Sequence, residues 1–326
     1  MKILSAISLS DKNWFQTGGC AQYFAQPTTA EEFQQALAFA NEQHLPITML
    51  GQGANVLISD QGVVGLVIRP RIGHLIIDCE QGLVTAGAGL DMQEVIDAAL
   101  DQGLHGLEDF SGIPGSIGGC VYINIHYFQY LLSNFLVSAQ VVNRITGALE
   151  IVDAAWFCFG YNESILQQRD YYLVEATFKL TPVSCEQAWY HKGRRDEIVR
   201  HRAQRYPHAR TCGSFFRNFR DYELLPLVAG KRVPFVAYYL DKIGVKGALQ
   251  IGGAIVSYQH ANMLVTQQGA TSHDVVLLAR TMQIRVFENF GVLIEPECQF
   301  LGFSEYPLIK SDHVKFARDS VASTAP

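Results

Sequence analysis

The stretch SGIPGSIGG at residues 111–119 carries four glycines and a proline in nine residues, then runs into CVYINIHYFQY, with four aromatic rings and His126. Such a run cannot continue a regular helix or an inner strand. It reads as backbone stripped of side chains so that something can lie against it, because glycine reaches positive φ and brings its N–H close to a ligand. The bulky continuation either supplies a polar group or packs its rings in a core.

The rest of the chain mixes helix and strand patterns without strict βαβ alternation, which predicts an α+β fold rather than a doubly wound parallel sheet. Thr28 and Glu31 have capping-box spacing ahead of a helix to residue 44, and Asp91 with Glu94 opens a second, through Gly103. Ser184 with Gln187 begins a long helix to about Tyr206, and Ser272 caps another ending at Gly291. HLIIDCEQGLVTAGAG reads as a hairpin turning at Gln81-Gly82, and FLVSAQVVN, ALEIVDA and YYLVEATFKL read as strands. The texture changes near residue 200. We therefore expect one domain over 1–199, a smaller one over 200–305, and a loose, aperiodic tail over 306–326.

With 326 residues, 48% of them apolar, the chain has material for two cores. A net charge of −6 with 17% charged residues argues against disorder and against a nucleic-acid partner. No run approaches the roughly 20 apolar residues of a membrane helix, so no membrane partner is expected. Seven scattered cysteines, none in a CxxC pair, predict a reducing, cytoplasmic setting without disulfides, and the ten histidines show no HExxH spacing, so no metal is expected.

A second glycine loop, GQGAN at 51–55, lies between two strand patterns. Each loop alone is compatible with a tight turn; together they suit a phosphate-bearing cofactor. Nine of the 25 Lys+Arg residues lie between Lys192 and Arg220. Part of that run reads as a solvated helix face. The cations around TCGSFFRN suit a phosphorylated small molecule.

TGGCAQYFAQP, GQGANVLISDQGVVGLVIR, GLEDFSGIPGSIGG, CGSFFRN, GGAIVSYQHANMLV and EPECQFLGF occur in this order between about residues 13 and 303. In these motifs the chain resembles the UDP-N-acetylenolpyruvoylglucosamine reductase (UDP-N-acetylmuramate dehydrogenase) family of peptidoglycan synthesis. The resemblance implies a vanillyl-alcohol-oxidase-type FAD-binding domain over 1–199 and a substrate domain after it. It implies FAD as cofactor, NADPH as reductant and a nucleotide-sugar substrate. Gly51, Gly53, Ala54, Asn55 and Leu57, with Gly112, Ile113, Pro114, Gly115, Ser116, Gly118 and Gly119, would then hold the FAD. In such enzymes a hydride reaches the methylene carbon of the enolpyruvyl ether and the adjacent carbon is protonated. Ser214 would be the proton donor, and Glu297 would polarise the enolpyruvyl carboxylate. Without the resemblance Ser214 reads as a turn residue and Glu297 as an exposed strand residue, easily confused with Glu295. Tyr161, Arg205, Arg217 and Asn218 would hold substrate, although Arg205 also suits a helix C-terminus on dipole grounds alone.

The chain departs from that pattern in three places. GYNES puts Asn162 at the position of the family's catalytic arginine, and an amide cannot form the charged bidentate clamp of a guanidinium. Losing one preorganised donor costs about 10²–10³ in rate. His126 and Gln129 replace loop glycines; His126 either compensates for the missing arginine or packs in the core. Phe219 stands where a proline is usual, in a lengthened segment. A diverged flavin oxidoreductase and a catalytically silent FAD- or UDP-sugar-binding homologue therefore remain as alternatives.

Overall fold

The computed structural model describes residues 1–220, 223, 227–228 and 231–310. Residues 311–326, most of the tail read as loose, lie outside the described residues, as do parts of the lengthened segment after Asn218. The fold is α+β. It divides into one unit of residues 1–7, 21–53 and 64–204 and a second of 8–20, 54–63 and 205 onward. A single boundary near 200 does not capture this, because two early segments, 8–20 and 54–63, belong with the later residues.

The first unit is built on a five-stranded antiparallel sheet in the order 149–153, 136–143, 171–179, 83–87, 75–78. Helices α2 (Met92–Asp101) and α3 (Ile117–Tyr122) pack Val95, Ile96, Ile117 and Val121 with Ala86, Val141 and Phe178 of this sheet. Helix α1 (Ala30–Glu42) puts Phe33, Ala36, Leu37 and Ala40 into a separate cluster with Val142, Tyr172 and Val174. Each large apolar side chain so buried contributes about 1.5–3 kcal/mol. Strand 171–179 serves both clusters through a bulge. Leu173 faces Val141 and Glu175 faces Gln140, so Val174 is an extra residue. One inserted residue inverts the alternation, which is how Leu173, Ala176 and Phe178 share one cluster despite their parity. Four further strands, in the order 3–8, 20–25, 63–68, 47–49, form a second sheet. Helix α4 (Cys185–Arg205) follows.

The caps show where local pattern suffices. Ser184 Oγ accepts the Gln187 N–H and Gln187 Oε1 accepts the Ser184 N–H, the reciprocal pair that its spacing predicts ahead of α4. At α1 the cap moves by one residue: Thr29 accepts the Glu32 N–H, and Glu32 reaches back to Thr28. Two adjacent threonines with two adjacent glutamates allow either register.

In the second unit, α5 (Val236–Lys242) and α6 (Ser272–Phe290) enclose a core with a three-stranded antiparallel sheet (250–251, 254–256, 264–266). Strand 299–301 pairs in parallel with 56–58. Thr271, not Ser272, caps α6 in a capping box with Asp274. Ser272 is fully buried and bonds Thr17 Oγ1 and the Ile58 carbonyl instead. Asp60 takes the N–H groups of Ser272 and His273, satisfying donors at the positive end of α6. Gly62 has φ +84°, and a Cβ there would lie 2.1 Å from the Cys20 carbonyl oxygen, so no other residue fits. Among the described residues no helix is long and apolar enough to cross a membrane.

Candidate active site

The two glycine loops meet. A Cβ on Gly51 would lie 2.6 Å from Ser116 Oγ, and one on Gly118 3.1 Å from the Ala88 carbonyl oxygen. Ser116 caps α3, its hydroxyl accepting the Gly119 N–H, while the Ile117 and Gly118 N–H groups go to Leu90 and Ala88. Gln93 straps the 111–119 loop: its Oε1 accepts the Gly112 N–H at 2.7 Å and its Nε2 donates to the Ile113 carbonyl at 2.9 Å. Sequence reasoning missed Gln93, because a polar residue in a first helical turn carries no local signal. Among the described residues no protein acceptor takes the N–H groups of Gly51, Gly53, Gly115 or Ser116. Ser111 Oγ and Asn55 Oδ1 are likewise buried without a hydrogen-bond partner. Cys120 within α3 is a packing residue: burial, then the Asp91 charge, pushes its thiol up to about 12.

Downstream of this loop, His126–Tyr127 and Tyr130–Leu131 pair as a tight hairpin. Its rings do not share one fate. Phe128 is 74% exposed, Tyr127 lies under the Arg202 guanidinium at 5.5 Å, and the His126 ring lies 4.7 Å from that of Tyr161. Asn162, with φ +57°, is next to His126, an arrangement eased by asparagine's tolerance of the left-handed region. The Asn162 amide lies close enough to His126 to favour its charged form, yet short of aligned hydrogen bonding, and both amide atoms are buried without a partner. Burial outweighs that contact and pushes His126 below its ordinary 6.5.

This has a pH consequence. A buried imidazole with a depressed pKa takes up its proton in the unfolded chain first. Its penalty is therefore absent above about pH 6.5, and stability falls as pH drops from there toward the folded-state pKa. His260, also depressed by burial, acts in the same direction. Urea midpoints measured across this window should fall with acidification, and His126→Gln should flatten the slope.

In the second unit, Ser214 and Glu297 lie on paired backbone although 83 positions separate them. The Glu297 N–H donates to the Phe215 carbonyl at 2.8 Å, and Phe216 forms a bridge with Pro296. On its other side Ser214 bridges Met263, and the Phe215 N–H donates to the Asn262 carbonyl. Asn262, buried, closes the arrangement with its side chain: Oδ1 accepts the Phe216 N–H at 3.0 Å and Nδ2 donates to the Phe216 carbonyl at 2.7 Å. Gly213, with φ +78°, turns the chain into Ser214. Ser214 and Glu297 are both half-buried, flanked by the buried Cys212 and Cys298.

Glu295 turns to a different partner. Arg217 makes a bidentate pair with Glu223 at 2.8 and 2.9 Å and bonds Glu295, which hold its guanidinium charged. Its charge is thus already matched by two carboxylates. Asn218 Oδ1 accepts the N–H of Val236, the first residue of α5. Arg205, at the exposed end of α4, lies over Tyr206, whose ring contacts that of His260.

Residues 204–301 match the family described as UDP-N-acetylenolpyruvoylglucosamine reductase, C-terminal domain, and residues 21–152 match FAD binding domain. The chain is 35% identical over 298 residues to the UDP-N-acetylenolpyruvoylglucosamine reductase of Gloeobacter violaceus, covering 91% of this chain and 95% of that one. The chain belongs to the UDP-N-acetylenolpyruvoylglucosamine reductase family. A second such reductase, from Synechocystis sp., is 37% identical over 298 residues, covering 90% of this chain and 89% of the relative. The solved UDP-N-acetylenolpyruvylglucosamine reductase of Thermus caldophilus matches with a TM-score of 0.74 at 27% identity, over 92% of this chain and 99% of that one. The FAD-binding domain of this reductase-family chain thus includes both glycine loops. Their unmatched N–H donors at Gly51, Gly53, Gly115 and Ser116 fit a diphosphate-bearing cofactor such as FAD, while Gly51 and Gly118 let the loops close on Ser116 and Ala88.

Proposed function

We propose that the chain reduces UDP-N-acetylglucosamine enolpyruvate to UDP-N-acetylmuramate, with FAD as cofactor and NADPH as reductant. The pairing of the Ser214 segment with the Glu297 segment carries this reading, because it supports an acid and a carboxyl group acting on one substrate. Gly51, Gly53, Ala54, Asn55, Leu57 and residues 112–119 would hold FAD, which when bound supplies the hydride drawn from NADPH. Ser214 Oγ delivers the proton to the carbon next to the reduced one. A serine is a weak acid, but an enolate-like carbon is basic enough to take its proton when the hydroxyl is held in line. Glu297, as its neutral acid, would donate a hydrogen bond to the substrate carboxylate as charge develops on it, and Asn262, through Phe216, keeps the Ser214 backbone in register.

Arg205 is the cation best suited to the diphosphate, since it is exposed and Arg217 is engaged by carboxylates. Tyr161 would contribute from beside His126, and Asn218 from the start of α5. At Asn162 the charge of an arginine is replaced by hydrogen-bonding capacity. His126 is placed to assist as a neutral imidazole, because burial disfavours its cation.

The test is NADPH oxidation by the purified FAD-loaded protein, with and without the enolpyruvyl nucleotide sugar. Substrate-dependent oxidation is expected. The unpartnered amide of Asn162 favours a second reading, a silent homologue. That reading predicts a yellow protein that binds the nucleotide sugar and leaves NADPH untouched.

A further inference from the structure

Away from the residues assigned to FAD and substrate, the first unit gathers two imidazoles on one buried carboxylate. Glu108, 3% exposed, lies in the short 3-10 turn Glu108–Phe110. His105 ends the strand Leu104–His105, and His191 comes from the first half of α4. His191 Nδ1 lies 2.7 Å and His105 Nδ1 3.5 Å from the same oxygen, Glu108 Oε1. The two rings stack with centroids 4.1 Å apart and planes 19° from parallel.

A simple ion pair accounts for half of this. One Nδ1–H from His191 satisfies Oε1, whereas 3.5 Å is long for a hydrogen bond from His105. The second imidazole is nonetheless stacked on the first with its Nδ1 turned to the same point. With His191 donating to Oε1, the His105 Nδ1 makes no hydrogen bond there. A cation ligated by all three atoms gives that nitrogen a role, once the rings swing out of their stack so that each aims its in-plane lone pair at the ion.

We propose that His105, Glu108 and His191 bind a divalent first-row transition-metal ion, with Zn²⁺ the best match. Two imidazole nitrogens and a carboxylate oxygen are a borderline-soft donor set suited to zinc. The three ligand atoms lie within 4.8 Å of one another. Ligands about 2.0–2.1 Å from a tetrahedral zinc stand about 3.3 Å apart, and the two measured edges of 2.7 and 3.5 Å bracket that spacing. Three protein ligands leave a fourth position for water. The carboxylate is held from behind, since Glu108 Oε2 accepts the Gly106 N–H at 2.7 Å. Such a hydrogen bond aims Oε1 at the ion. The His105 and His191 side chains keep 32% and 15% of their surface exposed, which gives the ion a route in. Both nitrogens must give up any proton they carry, so binding weakens in acid.

The ion would tie α4 to the turn that leads directly into the 111–119 loop, bracing the cofactor-binding unit from a point outside its glycine cradle. The proposal is independent of the reaction assigned above.

The experiment uses the FAD-loaded full chain, stripped with a chelator and with its exposed thiols alkylated so that cysteines do not compete. Calorimetric titration with Zn²⁺ alone should give one site per chain. X-ray absorption of the bound zinc should show only nitrogen and oxygen neighbours, at about 2.0–2.1 Å. His105→Ala, which leaves the short His191–Glu108 contact in place, should weaken binding at least about tenfold, the lower range for perturbing a zinc site. His191→Ala should abolish it. Absence of stoichiometric binding, or binding unchanged in His105→Ala, would overturn the proposal.

Discussion

Ser214→Ala is expected to lower substrate turnover about 10²–10⁴-fold, the range for removing a positioned general acid. The loss should fall on one half of the cycle. Reduction of the bound flavin by NADPH, followed as bleaching in stopped flow, should proceed at the parent rate, because Ser214 lies in the second unit and not among the glycine loops. Reoxidation by the enolpyruvyl substrate should slow by the full factor. FAD content and the urea midpoint should change little, since the half-buried hydroxyl leaves only a small void when removed. Equal slowing of both half-reactions would mean that Ser214 shapes the protein and is not the acid.

Asn262→Ala should be the most damaging change away from the reacting groups. The side chain satisfies both polar groups of Phe216, and the residue is 3% exposed. Truncation strands a buried N–H and a buried carbonyl, at about 1–3 kcal/mol each. The sum, about 2–6 kcal/mol, is a large part of the roughly 5–15 kcal/mol that holds a typical domain folded. Ser214 is two residues from Phe216, so kcat should fall while the KM for NADPH stays near the parent value. Denaturant unfolding checks the first effect and steady-state kinetics the second. Asn262→Asp keeps the acceptor for the Phe216 N–H but sets a buried carboxylate oxygen against the Phe216 carbonyl, so it should not restore the stability. Full stability in Asn262→Ala would show that the Phe216 backbone finds water or another partner.

Much of the chain was legible because the physics there is local. The α4 capping box, the hairpin turning at Gln81-Gly82 and the strands 136–143, 149–153 and 171–179 follow from spacings of two to four residues. The glycine loops were legible as bare backbone, but their contact at Gly51 and Ser116 was not, since 65 positions separate them. Ser214 and Glu297 looked like a turn residue and a strand residue; only family resemblance singled them out. Glu295 and Glu297, two apart in one run, could not be told apart by pattern. Arg217 separates them by recruiting Glu295. Nor could the bulge at Val174 be read, because a run of alternating apolar residues does not mark the one left unpaired.

Alone, the sequence determined the α+β class, the placing of most helices and strands, the two glycine loops and the substitution at residue 162. These follow from the chemistry of neighbouring side chains and from residue identity. Tertiary structure decided what those features meet: Gln93 under the loop, His126 beside Asn162, Glu297 paired with the Ser214 segment, and His191 stacked on His105 over Glu108. Contacts across long separations depend on how sheets register and helices pack. That is set by burial of the whole core and leaves no mark in any short window of the chain.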